Sequence, residues 1–229
     1  MNKKVLTMVA VLSVFTLFGC NNRNDSSALG APQVASLKPM QQSYRGTLPC
    51  ADCEGIETSL FLEASGSWVM NQHYLGKNVS LATYGQWART ADRLVLTQSN
   101  GEKHYYLPKD DSLVMLNKQG NPIHSAMNYS LKAVDLELPV TPMTMKGEYS
   151  YLADAAIFKD CASGKVYPVD SDAKLQEYYL SVRDKHTLPV LLQFDAHFTR
   201  QPAPDSDTFQ NVLVSDGKAE FFPGKTCQR

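Results

Sequence analysis

No stretch of this 229-residue chain holds the roughly twenty consecutive apolar residues that a membrane-spanning helix needs. The nearest is a run of 14, Val5 to Phe18, at the N-terminus. Neither sign of charge dominates: 22 Lys and Arg stand against 23 Asp and Glu. That balance argues against a nucleic acid or another polyanion as partner. Helical periodicity is scarce, with one convincing segment in the whole chain. No Gly-x-Ser-x-Gly elbow and no kinase catalytic loop occurs, so the chain carries no enzyme signature. Cysteine is sparse as well, with five in all.

What is present begins with a leader. Lys3 and Lys4 form a basic start, the apolar run follows, and Gly19 is the small residue expected at a cleavage site. Residues 1–19 therefore read as a secretory signal peptide. Leu17-Phe18-Gly19-Cys20 resembles the bacterial lipobox. The resemblance implies lipidation of Cys20 by a diacylglyceryl group and an N-acyl chain, and two or more chains anchor a protein stably. Asn21, where an Asp would retain a lipoprotein at the inner membrane, implies sorting to the outer membrane. Removal of the leader takes Lys3 and Lys4 with it and moves the formal charge from −1 to −3. An oxidising envelope and the four remaining cysteines favour two disulfides.

After Cys20 the chain is polar up to Ser43, with two prolines and no aromatic residue. Residues 20–43 read as a lipidated tether with a reach of roughly 25–30 Å. From 44 to 138, short β-branched and aromatic segments alternate with Gly, Asn and Asp turns at a spacing near ten residues. This texture predicts an antiparallel meander closed into a barrel. Pro139 and Pro142 mark a linker over 139–146. Residues 147–229 read as five short strands and one helix, which fits a small barrel of the oligonucleotide-binding (OB) type. In the helix, Ser171 is the candidate cap, and Leu175, Tyr178, Tyr179 and Val182 form the apolar stripe. The fold class is thus mainly β.

Several segments together carry a family resemblance: FGCNN, LKPM, RGTLPCADCEGIETSLFLEASGSWVMNQ, YGQWARTADRLVLT, TPMT, ADAAIFKDCASGK and the terminal FFPGKTCQR. In this order they resemble the NlpE/CutF family of outer-membrane lipoproteins, over essentially the whole chain. The resemblance implies a lipocalin-like N-terminal barrel, an OB-like second domain and a periplasm-facing site at the outer membrane. It also implies activation of the Cpx envelope-stress response through the inner-membrane histidine kinase CpxA. Surface sensing, lipoprotein-sorting defects and copper tolerance are further implied links.

The pair Cys50 and Cys53 admits three readings. Dithiol catalysis needs a thiolate favoured by a cation or a helix N-terminus. Asp52 and Glu54 oppose that, and a strand-like segment follows. As metal ligands, the two sulfurs suit Cu(I), which accepts soft donors at low coordination. His73 or His104 could converge on them, and Met40, Met70, Met115, Met127, Met143 and Met145 offer thioethers, although methionine is ordinary core filler. The favoured reading is a local disulfide pinning the loop into the barrel. Copper at Cys50 and Cys53 stays open as a possible cofactor.

Cys161 and Cys227 lie 66 residues apart. A bridge between them would restrict the unfolded chain by roughly 4 kcal/mol, a large share of a small domain's stability. The family resemblance gives the matching pair a role in reporting periplasmic disulfide formation. Other candidates are weaker. Trp68 and Trp87 each sit in a Gly-x-Trp triplet and read as core residues after turn glycines. A small hydrophobic ligand in the barrel is a further possibility. Asp195 and His197 fall on one strand face and read as a surface pair.

Overall fold

The computed structural model describes residues 42–90, 92–184, 189–204 and 207–227. All of them fall in one compact unit, 34–229. The leader, Cys20, Met40 and the tether up to residue 41 lie outside the described residues.

Eight strands form the first barrel: β1 (Gln42–Leu48), β2 (Ile56–Leu62), β3 (Ser67–Tyr74), β4 (Val79–Arg89), β5 (Leu94–Gln98), β6 (Lys103–Lys109), β7 (Ser112–Met115) and β8 (Ser130–Val134). Each pairs antiparallel with the next, and β8 returns to β1 through Ser43↔Val134 to close the barrel. Alternation sends Leu60, Trp68, Leu94, Leu96, Tyr106 and Leu131 inward, where all are buried. Trp68 is fully buried. Its indole Nε1–H donates to Gln86 O at 3.1 Å and to Thr97 O at 3.3 Å. Gly66, at φ 87°, forms the turn before it, as the triplet suggested. Gly85 departs from that reading. It sits inside β4, where a Cβ would strike Thr97 O and the Gln98 backbone, so its bareness serves strand approach rather than a turn.

The second barrel contains β9 (Met143–Leu152), β10 (Ala155–Asp160), β11 (Val166–Asp170), β12 (Val190–Pro202) and β13 (Phe209–Phe222). Around the closed sheet the order is β10-β11-β13-β12-β9. β11 and β13 run parallel, through Val169↔Leu213 and Asp170↔Val214. A parallel neighbour needs a crossover, and α1 (Ala173–Val182) occupies it. Its cap is Asp172, whose side chain accepts from Leu175 N at 2.8 Å, one residue beyond the expected Ser171. Leu175 and Tyr179 of the expected stripe are buried, while Tyr178 is exposed. Tyr179 stacks edge-on against Tyr149 at 5.2 Å. Phe158 and Phe194 meet at 5.1 Å in the barrel centre.

Strand β9 starts inside the segment read as linker. Met143 and Met145 alternate with exposed neighbours and are buried core residues, so the prolines interrupt the chain only up to Pro142. The outer face of the first barrel also joins the second core: Phe61, Val69 and Tyr84 cluster with Tyr149, Tyr167 and Phe198.

Candidate functional site

The Cys50–Cys53 loop links β1 to β2 and is bridged, with Cα atoms 5.3 Å apart. It is tied to the β3–β4 turn by two contacts. Leu75 N–H donates to Gly55 O at 2.9 Å. Lys77 Nζ meets Asp52 Oδ2 at 2.5 Å. The hydrogen bond and charge of Lys77 hold the Asp52 carboxyl below its ordinary value. Lys77 was invisible as a partner in the sequence, because it lies 25 residues from Asp52.

Donor atoms of Cys50, Asp52 and Cys53 lie within 4.8 Å of one another. Sulfurs joined to each other are not thiolates and are poor ligands. Once reduced, the pair would offer two soft sulfurs, and Asp52, already engaged by Lys77, would add a hard oxygen. The two sulfurs fit Cu(I) after reduction, and the Asp52 oxygen does not. Neither His73 nor His104 joins the cluster. His73 Nδ1 lies 3.0 Å from Ser80 Oγ. His104 stands edge-on to Trp68 at 6.5 Å. Met70, Met143 and Met145 are buried in the cores, Met115 packs against the first core, and Met127 is exposed.

Cys161 and Cys227 are bridged with the same Cα separation, 5.3 Å, across 66 residues. Cys161 follows β10, and its N–H donates to Lys146 O at 3.0 Å. Cys227 N–H donates to Glu148 Oε1 at 3.4 Å. The bridge therefore ties the tail after β13 to β10, next to β9.

Asp195 and His197 share a strand but not a partner. Thr144 Oγ1 donates to Asp195 at 2.7 Å. His197 Nδ1 sits 3.0 Å from both carboxylate oxygens of Asp216. The pairing shifts between Phe194 and Ala196, at Asp195 itself. Side chains also pack the lumen of the first barrel, which leaves a small hydrophobic ligand little room there. A cleft of about 860 Å³ instead opens beside the barrel-to-barrel segment, lined by Phe61, Glu63, Leu136, Val140, His197 and Arg200 among others. Among the described residues, no helix is long and apolar enough to cross a membrane.

These features define a mainly β, two-barrel protein with one disulfide loop in each barrel. Two family models match it: the NlpE N-terminal domain over residues 44–126 and the NlpE C-terminal OB domain over residues 139–228. Lipoprotein NlpE of Escherichia coli strain K12 is 54% identical over 228 residues, covering 98% of this chain and 97% of the relative. A crystal structure of the Cpx pathway activator NlpE from Escherichia coli, also 54% identical, covers 82% of this chain and 98% of that one, with a TM-score of 0.41. The chain belongs to the NlpE lipoprotein family.

Proposed function

We propose that this protein is a lipid-anchored sensor of envelope stress that activates the Cpx response, and that it signals rather than catalyses. In this reading residues 1–19 are removed and Cys20 carries the lipid. The segment read as a tether over 20–43 gives way to β1 at Gln42, the N-terminal barrel domain runs to 138, and the OB-like domain follows the proline linker. The anchor holds the protein in the outer membrane, facing the periplasm and away from the kinase CpxA in the inner membrane. The first barrel is the partner-contacting part, because it keeps its fold when the second loosens.

The observation that carries the proposal is the Cys161–Cys227 bridge. It spans 66 residues and ties the tail after β13 to β10. A small barrel that leans on one long staple loosens when periplasmic oxidation fails. Kinship with a Cpx pathway activator supplies the response it would report to.

A second reading concerns copper. The Cys50 and Cys53 sulfurs suit Cu(I) once the short bridge is reduced, which would link the protein to copper tolerance.

A Cpx-dependent reporter tests both readings, in cells carrying Cys161→Ala, Cys227→Ala or the Cys50→Ala/Cys53→Ala pair. Protein levels are matched and localisation is checked. Either C-terminal change should switch the reporter on while the N-terminal pair leaves it quiet. A response confined to the N-terminal pair, or to its exposure to copper, would overturn the assignment of the sensor to the long bridge.

A further inference from the structure

The long disulfide and the contact between the barrels meet in one hairpin. β10 ends at Asp160 and β11 begins at Val166. The turn is closed by Asp160 N–H to Lys165 O and Gly164 N–H to Asp160 O, both at 2.8 Å. Cys161 lies within this turn, flanked by the residues that reach the first barrel.

Asp160 is only 1% exposed. One carboxylate oxygen accepts from Tyr84 OH of the first barrel at 2.9 Å. The other accepts from Ser163 within the turn, at 2.8 Å from N and 2.6 Å from Oγ. Lys165, at the far side of the turn, donates from Nζ to Ser65 O at 2.6 Å and to Ser67 Oγ at 2.8 Å. Tyr167 OH lies 3.3 Å from the same Ser67 Oγ. A buried carboxylate that loses a hydrogen-bond partner is costly. Asp160 therefore has its full set of partners only when the turn is shaped and the barrels are docked.

We propose that the β10–β11 hairpin is a redox-gated clasp. With Cys161–Cys227 closed, the hairpin holds the first barrel against the second. With the bridge open, its turn loses the tail that pins it, Asp160 and Lys165 lose their register on Tyr84 and Ser67, and the Phe61, Val69 and Tyr84 face is uncovered. Opening is thiol–disulfide exchange: a dithiol reductant attacks the bridge, two thiols form on the protein, and the reductant leaves as its own disulfide. In a chain that was never oxidised, the clasp simply fails to set. The proposal rests on the sensing reading for its biological consequence but not for its mechanics.

The test measures the distance between the barrels in the full-length lipidated protein in detergent. Fluorophores are attached through non-natural side chains at exposed Lys103 and Lys174, so that no cysteine is added. The oxidised protein should give one narrow distance. Cys161→Ala/Cys227→Ala should broaden and lengthen it. Tyr84→Phe keeps the bridge and strips Asp160 of a partner, and it should raise the open population about tenfold. A narrow distance unchanged in Tyr84→Phe, or unchanged in a folded cysteine variant, overturns the clasp. If the cysteine variant unfolds the second barrel, Tyr84→Phe decides alone. Opening without a reporter response supports the clasp and sinks the sensing reading. A reporter response from a closed molecule overturns the clasp and leaves the sensing reading standing.

Discussion

The two barrels carry disulfides of the same Cα separation and opposite structural weight. In the first barrel, β1 and β2 pair over seven residues, from Gln42↔Leu62 to Leu48↔Ile56, right up to the cysteine loop. The ladder has already fixed what the short bridge could fix. In the second barrel, β11 meets β13 through only two residue pairs. Among the described residues the tail after β13 has no strand of its own, and Cys227 bonds it covalently to β10. A meander of neighbouring strands supports itself, whereas a crossover barrel with a thin parallel seam gains much more from a long covalent tie. Dependence on oxidation is therefore built into one half of the molecule.

The sharpest way to break that asymmetry is to remove each bridge in turn. Cys161→Ala/Cys227→Ala should cost the second barrel about 4 kcal/mol, on the loop-entropy account. Cys50→Ala/Cys53→Ala should cost the first barrel no more than about 2 kcal/mol, because its closed loop is so short. Thermal denaturation of the two variants, followed by barrel-specific NMR signals, checks the ranking. Equal losses would mean that topology does not set the dependence.

Strands also approach too closely for a side chain at Gly46 and Gly85 in the first barrel and at Gly147 in the second, which sharpens the comparison at a lower energy. At Gly147 an alanine would overlap Lys159 O and the ring of Phe158, which is buried against Phe194 and has no room to turn. At Gly85 the obstacle is the backbone of Thr97 and Gln98. Gly147→Ala and Gly85→Ala should each cost about 1–3 kcal/mol in urea unfolding. The loss should be confined to the second barrel for the first change and to the first barrel for the second. Unfolding of both barrels together in either variant would show that the seam couples them more tightly than the clasp alone requires.

What the sequence disclosed follows from range. Alternation is a local property, and the strand AAIFKD shows it residue by residue in its burial. The helix stripe was legible through Leu175 and Tyr179, but the same pattern overcounts Tyr178, because the helix buries only a narrow face. Met143 and Met145 were hidden by the prolines beside them, which mark a break without saying how soon a strand resumes. Contacts that depend on closure left no trace. Tyr84 and Asp160 are 76 residues apart, and Lys165 and Ser67 are 98 apart. Asp160 reads in sequence as an ordinary charged residue before a cysteine, and only docking of the barrels shows that it is buried.

The smallest expected effect sets a first-barrel histidine against the tyrosines of the seam by pH. Burial pushes the His104 imidazole of the first barrel below its ordinary value of 6.5, with Glu102 opposing and Lys118 assisting. A histidine that resists protonation in the folded state binds its proton more readily when unfolded. Stability is then present above pH 6.5 and falls as pH drops below that value. Partial exposure screens the penalty, so the loss should stay under about 1 kcal/mol. The alkaline side behaves differently. Burial and the Asp160 carboxylate push the Tyr84 hydroxyl far above its ordinary 10.0, and burial also raises Tyr167. Those phenols keep their protons when folded and lose them when unfolded, so the seam weakens as pH climbs past 10.0. Melting curves between pH 5 and 11 should show His104→Gln flattening only the acid limb and Tyr84→Phe flattening only the alkaline one. If His104→Gln moved the alkaline limb instead, the first barrel's histidine and the tyrosines of the seam would share one electrostatic response, and the two limbs would not report on separate groups.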